Sequence, residues 1–240
     1  MRLKMDFEVG LLPKDVHRVA LTLVKALIKT GDKELYQKFY NTGSNKHITK
    51  PFSFFYKPFN LNKNEILRVG YLIFADTLSI YFSTTDEKVK ESITKGFYIF
   101  KGMDKNISYR INDKINNKLH GEAIPISLKE FSISLSNIVK IPSFVIPETF
   151  MDKNKNKEHI EIVTDYFKQF GMNIKIISLA RQSTYTNIND TNRQIRGFNL
   201  SFIILDNDVT SAWNVLENGV GARKSQGFGY CLPIIIQSNK

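Results

Sequence analysis

Cysteine is nearly absent: Cys231 is the only one in 240 residues. An internal disulfide and a thiolate zinc site are therefore excluded. Nothing in so thiol-poor a chain points to an oxidising compartment, and a cytoplasmic location is expected. Long apolar runs are missing too. Stretches such as Ile73 to Ala75 or Phe202 to Leu205 cover only a few residues, against the roughly 18 needed to cross a bilayer, so no membrane partner is expected. The opening MRLKMDFEVG lacks the basic start, apolar run and small-residue cleavage site of a signal peptide. Histidine is scarce, at four, and no two stand at metal-ligand spacing. Asp206 and Asp208 form an Asp-x-Asp before a helix, a pattern that fits a cap better than a Mg²⁺ site. No metal and no cofactor are expected, and no serine lies in a nucleophile-elbow context.

What the chain does have is apolar mass and positive charge. At 42% hydrophobic, 12% aromatic and 24% charged, it can bury a core, which excludes wholesale disorder. The formal net charge is +11. Residues 1–120 carry 21 Lys+Arg and 12 Asp+Glu, a balance of +9, whereas residues 121–240 carry 13 and 11, a balance of +2. Clustered cations are rewarded on phosphate backbones by counterion release, so a nucleic acid is the favoured partner class. A surface that has merely drifted basic would give the same total.

The hydrophobic pattern predicts an α+β fold. Leu3, Met5, Phe7 and Val9 alternate with charged residues, as on a half-buried strand. Val16, Val19, Ala20, Leu23, Leu27 and Ile28 then mark one face of a helix over 14–29. A short helix over 32–40 leads into the polar loop Asn41 to Lys46. Strands follow over 52–59, 66–75 and 78–83, then a helix over 86–95 and a strand over 97–100. This β-α-β-β-α-β order is ferredoxin-like. It recurs in strands over 130–135 and 143–145, a helix over 159–170, strands over 173–181 and 197–205, a helix over 209–216 and a strand over 230–236. The joint is placed in the turn-rich stretch 120–125, giving an N-terminal domain over 1–122 and a C-terminal domain over 123–240. The segments 152–158 and 182–194 read as polar loops, the second a basic hairpin flanked by Arg181, Arg193 and Arg196.

The most specific signal is Gly219-Val220-Gly221-Ala222-Arg223-Lys224-Ser225-Gln226-Gly227-Phe228-Gly229. Glycines permit positive φ and close approach, so successive N–H groups could hold an anion while Arg223 and Lys224 supply charge. The segment matches neither a dinucleotide fingerprint nor a P-loop, since Lys224 and Arg223 stand where those patterns need glycine. A glycine-rich connection between the last helix and the final strand is the plain alternative.

This Gly-x-Gly-x-Arg/Lys-x-Ser-x-Gly-Phe-Gly signature resembles that of the Cas6 family of CRISPR RNA-processing endoribonucleases. The resemblance extends through the N-terminal strand and helix, the Lys50-Pro51-Phe52-Ser53 segment and the amphipathic helix opening the second half. It implies tandem ferredoxin-like (RRM-like, RAMP) modules with a C-terminal glycine-rich loop. It also implies metal-independent cleavage of CRISPR repeat RNA by 2′-hydroxyl attack, leaving 2′,3′-cyclic phosphate and 5′-hydroxyl ends. The implied partner is pre-crRNA, and a CRISPR effector complex and a homodimer are the protein partners that come with it. The alternative is a non-catalytic repeat-RNA-binding protein or effector-complex subunit of the same fold.

Such chemistry needs a proton acceptor for the 2′-hydroxyl, a donor for the departing 5′-oxygen and a cation for the phosphorane. His47, in the polar loop between Lys46 and Lys50, is the first candidate for general acid/base, with Lys50 stabilising charge. The family pattern places a histidine at the end of the second short helix, where Tyr40 or Asn41 falls here. Tyr36 or Tyr40 is therefore a candidate to orient the 2′-hydroxyl, with Lys25 or Lys50 carrying charge. His17, on the first helix, is the second choice, while His120 and His159 read as surface residues. For RNA binding the candidates are Gly219, Gly221, Arg223, Lys224, Ser225, Gly227 and Gly229, with Arg181, Arg193 and Arg196. Phe54, Phe55 and Tyr56 could form a base platform, but adjacent strand residues point to opposite faces and most such rings are expected in the core.

Overall fold

The structure is a computed structural model that describes residues 2–13, 16–40, 50–59, 72–111, 119–132, 138–188, 191–205, 209–222 and 228–233. The chain forms two compact units. One comprises Arg2–Pro51 and Phe55–Phe131, the other Ser132–Lys240 together with Phe52–Phe54.

The first unit runs β1 (Arg2–Val9), β2 (Leu11–Pro13), α1 (Val16–Gly31), α2 (Lys33–Tyr40), β3 (Phe52–Phe59), β4 (Leu72–Phe74), β5 (Thr77–Thr84), α3 (Glu87–Gly102), β6 (Ile107–Ile111) and β7 (Leu119–Phe131). Its main sheet has the order β3-β5-β1-β7-β6, and β2 pairs with β4 apart from it. The alternation in β1 is realised: Leu3, Met5, Phe7 and Val9 are all buried. They form a core with the apolar stripe of α1, in which Val19, Ala20, Leu23, Val24, Leu27 and Ile28 are almost fully enclosed. Phe7 meets Phe97 of α3 edge to face at 5.7 Å between ring centroids.

Two expectations differ from this unit. The strand expected over 97–100 is the last third of α3. Val89, Ile93 and Phe97, four residues apart, are buried on one helical face, and that spacing overrides the β preference of three aromatics in a row of four. Asp86 caps the helix, accepting from the Val89 N–H at 3.1 Å. A Cβ at Gly96 would overlap the backbone carbonyl of Leu27, so glycine there lets α3 close on α1. The second difference concerns 120–125, expected as a turn. It lies inside β7, which pairs along the full length of β1 and also holds β6, so this strand stays with the first unit through Phe131.

The second unit runs β8 (Ile138–Phe144), α4 (Glu148–Lys153), α5 (His159–Lys168), β9 (Ile174–Ile188), β10 (Thr191–Ile204), α6 (Val209–Asn218) and β11 (Leu232–Pro233). Its sheet has the order β11-β8-β10-β9. Phe144, Phe167 and Phe202 anchor the core with Ile141, Val163 and Leu200, all at 0% exposure. The apolar face of α5 supplies Ile162, Val163, Tyr166 and Phe167. A capping box between Glu158 and Glu161 fixes its start. The basic segment 182–194 is the far part of a long hairpin, with Arg193 opposite Thr186 and Arg196 opposite Ser183. Both units carry a β-α-β-β-α-β order, and the fold is α+β: two ferredoxin-like modules in tandem. Among the described residues no helix is long and apolar enough to cross a membrane.

Candidate functional site

Helices α1 and α2 of the first module bring a group of phenols and ammonium ions together. Tyr36 and Tyr40 stand one turn apart on α2, and their rings lie 4.9 Å apart at 36°. On α1 the same spacing puts Lys25 and Lys29 side by side. Lys25 Nζ sits 4.9 Å from the centre of the Tyr40 ring and Lys29 Nζ 5.8 Å from that of Tyr36. Lys50, just ahead of β3, places its Nζ 4.6 Å from the Tyr40 ring. Tyr40 thus carries two cations within cation–π range. Its hydroxyl is buried without a hydrogen-bond partner among the described residues.

The electrostatics follow from this crowding. Burial, reinforced by Tyr36, pushes the Tyr40 phenol well above its ordinary pKa, so it is a protonated donor at neutral pH. Burial lowers the pKa of Lys25, and Arg18 adds to the shift. Burial likewise lowers that of Lys50, and Lys25 adds to it. Among the described residues no carboxylate pairs with Lys25, Lys29 or Lys50; the ion pairs sit at Lys4, Lys90, Lys157 and Lys168. Cations held together without a counter-charge attract an anion and repel a divalent metal ion. Lysines with lowered pKa also release a proton more readily than ordinary ones.

The other histidines separate by environment. His17 is only 5% exposed and meets Tyr56 edge to face at 5.6 Å. Burial holds its pKa down to about 4, so the imidazole is neutral at pH 7. His120 is an exposed β7 residue opposite Arg110. His159, at the start of α5, lies 3.2 Å through Nδ1 from an Arg181 guanidinium nitrogen and faces the Phe198 ring at 5.6 Å. Arginine can only donate, so Nδ1 accepts and the proton of a neutral ring sits on Nε2. This pair lines a cleft of about 440 Å³ with Glu158, Ser178 and Ile177.

The glycine-rich segment shows why its glycines are needed. Val220 N–H donates to Gly229 O at 3.0 Å, Gly229 N–H to Ser143 O at 2.6 Å and Ala222 N–H to Val145 O at 2.7 Å. The two arms of the loop are thereby laced to each other and to the end of β8. Gly229 has φ of +72°, and a Cβ there would overlap the Val220 carbonyl. The N–H groups of Val220, Ala222 and Gly229 are engaged in these bonds. Arg223, Lys224, Ser225 and Gly227 lie outside the described residues, as does His47.

Of the expected catalytic residues, Tyr40 and Lys50 come together. Lys25 joins them, and Lys29 and Arg18 complete a cationic surround that sequence reasoning missed. The i, i+4 spacing of Lys25 and Lys29 on a helix with its apolar stripe elsewhere was the available signal. Arg181 is exposed on β9, and its pairing with His159 across 22 positions had no local signature.

No family model and no curated protein matches the chain. Several solved structures share its fold over nearly its full length, three of them as follows. A CRISPR-associated protein Cas6 is 16% identical with a TM-score of 0.59, covering 98% of this chain and 99% of that one. A RAMP protein binding different RNA substrates is 14% identical with a TM-score of 0.61, covering 98% and 100%. The product of a Cas6-related gene from Pyrococcus furiosus is 15% identical with a TM-score of 0.56, covering 98% and 100%. The chain has the tandem fold of these Cas6 and RAMP proteins.

Proposed function

We propose that this protein is a metal-independent endoribonuclease that cuts CRISPR repeat RNA by attack of a ribose 2′-hydroxyl on the adjacent phosphodiester, leaving a 2′,3′-cyclic phosphate and a 5′-hydroxyl. The observation that carries the proposal is the Tyr40 cluster, a buried protonated phenol between two ammonium groups that have no carboxylate partner among the described residues. The fold shared with Cas6 and RAMP proteins supplies the substrate class.

In this reading Lys25 and Lys50 draw the scissile phosphate in and hold the extra negative charge of the phosphorane. The Tyr40 hydroxyl donates to the reacting group and orients it, at no cost of deprotonation. Lys50, acidified by burial and by Lys25, can pass a proton to the departing 5′-oxygen. His47, three positions before Lys50, is the proposed acceptor of the 2′-hydroxyl proton. Arg181, Arg193, Arg196, Arg223 and Lys224 of the second module bind the phosphodiester backbone, which positions the RNA without reading its sequence.

The test is to incubate the protein with its host's repeat RNA in EDTA, beside a substrate with one 2′-deoxy substitution at the cut position. Cleavage of the first and not the second is expected, with a cyclic phosphate on the 5′ product. Binding without cleavage of either would make the chain an RNA-binding protein of the same fold, and cleavage of the deoxy substrate would refute 2′-hydroxyl attack.

A further inference from the structure

Strand β9 is an open edge of the second module's sheet. It stands last in the order β11-β8-β10-β9 and, among the described residues, pairs only with β10. One side of its 15-residue backbone thus offers alternating N–H and C=O groups to a chain laid alongside. The register steps from Ser178 opposite Ser201 to Ile176 opposite Phe202. Ile177 is the extra residue of this bulge, and its side chain stands 53% exposed. From Ser178 onward the pairing is regular as far as Ile188.

The cleft of about 440 Å³ described above lies between this strand and the start of α5. Ile177 and Leu179 line it from the strand and Ile160 from the helix. The core takes Ile162, Val163, Tyr166 and Phe167 from α5, whereas Ile160 is left 53% exposed. Two large aliphatic side chains therefore meet water in one cleft beside an unpaired strand edge. Arg181, held by His159 Nδ1 at 3.2 Å, stands in the lining of the same cleft.

Charge selects the occupant. Strand β9 holds Lys175 and Arg181 and no Asp or Glu, and both cations are exposed. The carboxylates of α5 and its cap are engaged: Glu158 and Glu161 in the capping box, Asp165 with Lys157 and Lys168 at 2.8 and 3.3 Å. A second copy of β9 laid on the first would set cations against cations with no carboxylate between them, which opposes self-pairing. A ribonucleotide chain has no alternating donors and acceptors to match a strand edge. The cleft also offers it little stacking surface, since Phe198 is only 6% exposed beneath the His159 ring. A polypeptide with acidic and aliphatic side chains matches the edge, the isoleucines and the cations together.

We propose that β9 and the start of α5 form a docking groove for an extended acidic segment of another protein, which adds to the sheet as a further strand. Main-chain hydrogen bonds to the regular stretch from Ser178 onward hold the segment. One of its aliphatic side chains fills the space between Ile160 and Ile177, and its carboxylates meet Arg181 and Lys175. Arg181 then serves the groove and leaves Arg193, Arg196, Arg223 and Lys224 for the phosphodiester. The inference goes beyond the cleavage reading and does not depend on it.

The test measures anisotropy of fluorescein-labelled seven-residue peptides with the full chain. One peptide alternates glutamate with valine, a second alternates lysine with valine, and a third is the first with alternate backbone nitrogens methylated. The Glu-Val peptide is expected to bind about tenfold tighter than either of the others, and to slow amide hydrogen exchange in residues 174–188 of the wild-type protein. A carboxylate placed in the cleft repels the same peptide, so I177E and, on the other wall, I160E should each lose about tenfold in affinity. Both should cleave repeat RNA as wild type does. No binding of the Glu-Val peptide, equal binding of the methylated one, or protection that misses β9 overturns the groove. So does a labelled heptauridylate whose binding falls in I177E, which would make this edge an RNA surface. The exchange experiment is read on wild type, so poor folding of a variant cannot mimic a positive result. A wild-type protein that leaves repeat RNA uncut refutes the cleavage reading alone, and the peptide still decides the groove.

Discussion

Replacing Tyr40 with Phe removes one oxygen from the site and nothing else. The ring keeps its tilted contact with Tyr36 and both ammonium groups, at 4.9 and 4.6 Å. What disappears is a hydroxyl that is buried and unpartnered among the described residues. Leaving such a group unsatisfied costs about 1–3 kcal/mol, so Y40F is expected to be at least as stable as wild type. A gain of about 1 kcal/mol would appear as a rise in Tm of about 2–4 °C for a chain of this size. Cleavage should move the other way. Loss of one positioned donor costs about 10²- to 10³-fold, read as the single-turnover rate on repeat RNA at saturating protein. Y40L supplies the contrast, because it removes the ring and both cation–π contacts, each worth about 0.5–2 kcal/mol. That variant should lose stability as well as activity. The reasoning fails if Y40F cleaves at the wild-type rate, or if it melts several degrees lower, which would mean the hydroxyl is serving the fold.

Two predictions concern pH. Lys25→Met keeps an apolar stem but removes a charge that lowers the Lys50 pKa, so that pKa should rise. If the ammonium form of Lys50 is the one that works, the alkaline limb of the cleavage profile must move to higher pH in K25M while the maximal rate falls; a limb that stays in place removes Lys50 from the titration. His17 gives a stability test. Burial holds its folded pKa at about 4 against an ordinary imidazole value of 6.5, so the unfolded chain binds the proton first. The stability it contributes is present above about pH 6.5 and is lost as pH falls toward 4, a swing of about 3 kcal/mol. Denaturant unfolding at pH 7 and pH 4.5 should show a smaller drop for H17Q than for wild type, and equal drops would show that the imidazole is not held neutral.

How much of this was legible beforehand depends on how local the determining contacts are. The strand β1 and the helices α1 and α5 declare themselves by spacing, because their buried faces are set by residues two, three or four positions apart. The pattern of α3 breaks off early in the sequence because Phe97, Tyr98 and Phe100 favour strand locally. What decides the matter is a glycine, Gly96, whose use appears only when the backbone of Leu27 is found against it. The glycine-rich signature was visible as composition, and so was its demand for unusual backbone. The laces to Ser143 and Val145 that use up its N–H groups join positions more than 70 residues apart and have no trace in the motif itself.

The same limit governs the Tyr40 cluster. Tyr36 and Tyr40 are neighbours by helical spacing, but Lys25 reaches them only because α2 folds back on α1, and Lys50 only because the chain returns at the head of β3. The charge excess of residues 1–120 was plain from composition, yet composition cannot say which of its lysines gather around Tyr40. Cross-strand register acts over longer intervals still. Lys4 meets Tyr81 and Lys129 across intervals of 77 and 125 positions, and a shift of one residue in either pairing would turn the rings toward the core and the lysines away from one another. β7 carries one extra residue, Ile126, opposite the step from Asp6 to Phe7, so Arg2, Lys4 and Asp6 keep one parity with β7 while the residues after them change theirs. Which face of the sheet a lysine or a ring occupies is thus set by strand pairing across the unit and not by its neighbours in the chain.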